Sequence, residues 1–78
     1  MTVSLRTQAD EAELAAMEYR DWIENLAGTR DEKSKRTPEA LALMRIRLTH
    51  KQAIAETLKH LADRADARRA ADQGSTAA

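Results

Sequence analysis

From Ala12 to Leu26 the chain places Ala12, Ala16, Tyr19, Ile23 and Leu26 at intervals of four, three, four and three residues. That is the seam rhythm of packed helices. Turned at 100° per residue, the same segment gathers Ala15 and Trp22 onto the face, while Leu14 and Met17 fall off it. A second pattern follows. Leu41, Leu43, Met44, Leu48, Ile54, Ala55, Leu58, Leu61, Ala62 and Ala65 share one face of a later helix. They cover an arc of roughly 160°, wider than the roughly 100° stripe of an ordinary surface helix. Ile46 lies outside even that arc. No alternation of period two competes with either helix.

Local signals set the expected ends. Thr7 with Asp10 three residues on resembles a capping box, and Gly28 is a natural stop for a first helix over 7–27. The stretch GTRDEKSKRT, residues 28–37, is almost free of apolar side chains and reads as a loop. Thr37-Pro38-Glu39 then offers a cap, a proline at the first helical position and an acid in the first turn. Neither Gly nor Pro recurs before Gly74, so the second helix is expected over 38–72. Residues 1–6 are expected to be flexible and 73–78 a disordered tail.

The fold expected is an all-α antiparallel hairpin of two helices. Folded over, it brings Leu26 near Leu41, Ile23 near Met44, Tyr19 near Leu48 and Ala12 near Ala55. The helices differ in length by about 20 Å at 1.5 Å per residue. The second should therefore overhang from about Leu61. A wide apolar face, an overhang and a core of this size together predict dimerisation into a four-helix bundle, or docking on a helical protein partner. Packing or interface roles fall to Tyr19, Trp22, Ile23, Leu26, Met44, Leu48, Ile54, Leu58 and Leu61. Leu14, Met17 and Ile46 fall off these faces and are set aside as partner-contact residues.

Composition narrows the chemistry. Without cysteine, there is no disulfide, thiolate catalysis or cysteine-ligated zinc. No apolar run approaches a membrane span, and the first residues lack a secretory signal, so the cytoplasm is the expected compartment. The 78 residues carry no net charge, so no global field draws the chain to nucleic acid or an anionic membrane. The charge is nonetheless divided. Residues 1–32 hold eight acids and three bases, and residues 33–78 hold five acids and ten bases. Lys33, Lys35, Arg36, Arg45, Arg47 and Lys51 make a basic zone that could contact phosphates. Mutual neutralisation of an acidic first helix and a basic second helix accounts for the same pattern. Arg47 and Lys51 also fall within the apolar arc, where a charge must snorkel or find a partner such as Glu18.

LTHKQAIAETL, residues 48–58, is similar to the first helix of helix-turn-helix repressors through Leu48, Thr49 and Ala55-Glu56. The resemblance implies a nucleic-acid-binding regulator. It departs at Lys59 and His60, which stand where a turn glycine belongs, and no separate recognition helix follows. Glu56, His60 and Asp63 have a spacing that could hold a metal, but one helix face without a second cluster reads better as solvated charge. His50 as a phosphotransfer residue has no supporting context. No catalytic constellation assembles, so no enzyme activity, small-molecule substrate or cofactor is expected. The leading expectation is a small interaction module acting as inhibitor, adaptor or chaperone of a partner macromolecule. The general architecture looks like that of small hairpin chaperones and small phage-encoded modulators, without a shared motif.

Overall fold

The computed structural model describes residues 2–76, with side chains as far as Gln73. Two helices, α1 (Leu5–Gly28) and α2 (Pro38–Thr76), form a rod of 66 × 21 × 19 Å. Among the described residues there is no strand.

Helix α1 starts earlier than the Thr7 signal suggested. Ser4 is the N-cap, and its Oγ accepts from the Thr7 amide at 3.1 Å while donating to Thr7 Oγ1 at 2.9 Å. Thr7 therefore serves inside the first turn, and residues 5 and 6 are helical rather than a loose lead-in. At the other end α1 includes Gly28 and stops at Thr29, whose amide reaches Leu26 O at 3.5 Å. Gly28 does not adopt a left-handed conformation, so the stop comes from the extended backbone at Thr29 and not from glycine geometry.

The loop is organised by Asp31. Its Oδ1 accepts from the Lys33 amide at 3.1 Å and its Oδ2 from Ser34 Oγ at 3.0 Å. Its backbone oxygen accepts from the amides of Ser34 and Lys35. This is the turn-forming habit of a short acidic side chain. Thr37 then caps α2 as expected, its Oγ1 accepting from the Ala40 amide at 3.1 Å. α2 runs on to Thr76, past the expected end at 72, and residues 77–78 of the expected tail lie outside the described residues, as does Met1.

Along α1 the buried and half-buried apolar positions are Leu5, Ala9, Ala12, Ala16, Tyr19, Ile23 and Leu26. Along α2 the seam runs through Leu41, Met44, Leu48, Lys51, Ala55, Leu58, Ala62 and Ala65. Both sets alternate steps of three and four without a break, the pattern of an antiparallel two-helix seam. The buried members are Ala9, Ala16, Ile23, Ala55 and Ala62. Four of these five are alanines, so the helix backbones can approach closely, but little apolar area leaves water. Val3, Leu14, Met17, Trp22, Leu43, Ile46, Ile54 and Leu61 meanwhile remain 43–64% exposed. The hairpin thus leaves as many large apolar side chains outside its seam as it places within it, and of those within it only Ile23 is buried.

Candidate interaction surface

The residues beside the seam make two unlike flanks. On the first, Arg6, Glu13 and Arg20 of α1 lie one place to the side of the seam positions, as do Gln52, Lys59 and Asp66 of α2. Glu13, Ala16, Met17, Arg20, Gln52, Ala55, Glu56 and Lys59 line a groove of about 210 Å³ here. The same flank carries a clasp between the helices. Arg6 Nη2 donates to Asp63 Oδ1 and to Asp66 Oδ2, both at 2.7 Å, and Arg6 Nε donates to Asp66 Oδ2 at 3.3 Å. The hydrogen bond from Arg6 holds the Asp63 carboxyl below the usual carboxylate range, against a smaller desolvation effect. The same bonds hold the Arg6 guanidinium still more firmly protonated.

The second flank is apolar at its centre. Ala15 and Trp22 of α1 and Arg47, Ile54 and Leu61 of α2 lie beside the seam, with Leu43 and Ile46 just behind. Tyr19, Trp22, Leu43, Met44, Ile46, Arg47 and Lys51 line an open depression of about 650 Å³. The rings of Tyr19 and Trp22 are tilted at 48° with centroids 5.6 Å apart, within the range of a favourable aromatic pair. Lys51 occupies a seam position, and its Nζ lies 5.2 Å from the centroid of Tyr19. Its aliphatic stem packs within the seam and its charge rests over an aromatic face.

Several expectations are placed by this geometry. Tyr19, Ile23, Leu26, Met44, Leu48 and Leu58 are seam residues. Trp22, Ile54 and Leu61 are not. They stand 48%, 57% and 43% exposed on the apolar flank, because each projects one position to the side of the seam. Leu14, Met17 and Ile46 are also exposed, Met17 lining the groove on the polar flank and Ile46 the opposite depression. The Arg6 clasp carries the helix pairing as far as Asp66. The overhang of α2 therefore starts about one and a half turns later than Leu61, and Ala62 is completely buried.

Of the basic zone, Lys35 pairs with Glu32 at 2.9 Å and Arg36 donates to the backbone oxygen of Ser34. Lys33, Arg45 and Arg47 are exposed. α2 passes through Lys59 and His60 without a turn, so the segment similar to a helix-turn-helix lies within one continuous helix. Glu56 Oε1 meets His60 Nε2 at 3.2 Å, whereas Asp63 turns to Arg6. Among the described residues no group of three potential ligands converges on a metal position. No described helix is long and apolar enough to cross a membrane.

Sequence reasoning missed the clasp and the first seam turn. The signal for the latter was present: the three-four rhythm extended backwards from Ala12 reaches Ala9 and Leu5. The chain matches no protein-family model, and neither the curated proteins nor the solved structures contain a significant match.

Proposed function

We propose that the protein is a small helical interaction module that works in the cytoplasm by laying its apolar flank against helices. In this reading it acts as an inhibitor, adaptor or chaperone of another macromolecule, and its complexes are helical bundles. One observation carries the proposal: Trp22, Leu43, Ile46, Ile54 and Leu61 are all strongly exposed on one side of the hairpin. Large aromatic and aliphatic side chains grouped on one face mark an interaction surface more than a solvated one. The opposite flank, with its arginine clasp, has the composition of a surface that stays wet.

The test is a photo-activated crosslinker placed at Ile54 in the source cells, with Gln52 on the polar flank as the control. A discrete adduct from the apolar flank, absent from Gln52 and lost on Trp22→Glu, is expected. Equal labelling from both flanks would count against the reading. Titration with duplex DNA and RNA at two salt concentrations completes the comparison. Affinity with a slope of about −0.9 per neutralised phosphate, lost in Arg45→Ala/Arg47→Ala, would replace this proposal by a nucleic-acid regulator.

A further inference from the structure

We infer that one occupant of the apolar flank is a second copy of this chain, packed so that both loops lie at the same end of a four-helix bundle. This rests on the apolar flank being an interaction surface, and it goes on to specify the occupant and the arrangement.

Size is the first argument. α1 is about 36 Å long at 1.5 Å per residue, and the hairpin is 21 × 19 Å across. The flank therefore presents on the order of 700 Å², close to the roughly 800 Å² per partner of a stable interface. Supplied by two copies, Trp22, Leu43, Ile54 and Leu61 would form a central apolar layer that one hairpin cannot close by itself.

Charge decides the arrangement. On the outer edge of this flank α1 carries Glu11 and Glu18 and α2 carries His50 and Arg64, while Arg47 stands just inside that edge beside the seam, all exposed. The flank is thus acidic along one long edge, apolar in the middle and basic-rich along the other. The ion pairs that join the two helices of one chain lie on the opposite flank and run in the reverse sense, from a base on α1 to acids on α2. They do not neutralise this edge pattern.

Two hairpins can meet flank to flank about a twofold axis in two ways. If the axis is perpendicular to the helices, the loops lie at opposite ends and α1 faces α1. The acidic edges then meet each other, as do the basic edges. If the axis runs along the helices, the loops share an end and α1 faces α2 of the second copy. Glu11 and Glu18 then lie beside the helix bearing Arg47, His50 and Arg64, twice over by symmetry. Every neighbouring helix pair is antiparallel in both arrangements, so the edge charges alone tell them apart. Like charges brought together disfavour an association and opposite charges select its orientation, so the second arrangement is the one the edges specify.

The chain has no cysteine, so Lys33→Cys gives a single labelling site in the loop. Sedimentation of the full chain at tens of micromolar should show a dimer, and spin labels at position 33 should lie within about 30 Å of each other. With loops at opposite ends, the helix length puts them about 40 Å apart or more. Charge reversal supplies the second readout. Glu11→Lys/Glu18→Lys and Arg47→Glu/Arg64→Glu should each dimerise at least about tenfold more weakly while keeping their helical circular dichroism. An equimolar mixture should recover to within about threefold of the parent, because each edge again meets its opposite. A long label distance, or a mixture that does not recover, overturns the arrangement. A monomer overturns the self-docking altogether and leaves the partner-binding reading to be decided by the crosslinking.

Discussion

Ile23 and Trp22 are neighbours with opposite roles. Ile23 is 2% exposed and is the one large side chain among the buried residues, whereas Trp22 is nearly half exposed on the apolar flank. Truncating a buried isoleucine to alanine costs about 2–5 kcal/mol, a large share of what so small a fold has. Ile23→Ala is therefore expected to lower the melting temperature sharply. Trp22→Ala should keep its helicity in dilute solution and show its defect in association. Melts monitored at 222 nm, with sedimentation alongside, check both, and a Trp22→Ala hairpin that unfolds would reverse the assignment. Asp63 supplies a residue-scale pH dependence. Its carboxyl titrates below the usual carboxylate range because Arg6 donates to it. The stabilisation is complete above the unfolded-state value and is lost as pH falls through the lower, folded-state value. Acid should thus open the Leu5 end of α1 first, and Arg6→Ala should remove that step, as read from amide signals of residues 5–12 across an acid titration.

At the scale of the helix, α2 behaves as two segments. As far as Asp66 it is held by the seam and the Arg6 clasp, and beyond that it continues to Thr76 past the clasp that fixes the start of α1. Ala67, Arg68, Arg69, Ala70 and Ala71 are exposed, and helix without tertiary packing is marginal. Hydrogen exchange should be faster across residues 67–71 than around Ala55 and Ala62, and equal protection of the two stretches would show that something covers the later one. Much of this was legible beforehand. The rhythm from Ala12 to Leu26 located the seam, and Thr37-Pro38-Glu39 marked the start of α2, because both are local properties of the chain. Trp22 was harder, since a residue one position to the side of a seam differs from a seam residue by only about 40° on a helix of 3.6 residues per turn. The extent of the overhang depends on how far the helices slide past each other. That is set by the Asp31-centred loop and the contact of Arg6 with Asp63 and Asp66, none of which periodicity can report.

For the molecule as a whole, the alanine-rich seam has a consequence for alignment. Ala9 and Ala16 lie seven residues apart in α1, and Ala55 and Ala62 seven apart in α2. A displacement by one repeat, about 10 Å, keeps one of the two alanine-to-alanine meetings, so the alanines by themselves separate the native pairing from a shifted one only weakly. What breaks the degeneracy is unevenly distributed. Lys51 finds an aromatic ring at Tyr19, but seven residues along α1 in either direction stand Ala12 and Leu26, which give an ammonium group nothing. A polar group at a single seam position is known to select one pairing from several. Lys51 and the Arg6 clasp therefore act as the teeth of a ratchet whose track is otherwise smooth. Lys51→Leu/Arg6→Ala should keep its helical content yet divide into shifted populations, visible as doubled amide signals for seam residues such as Ile23. A single set of signals would mean that the loop alone keeps the two helices in step.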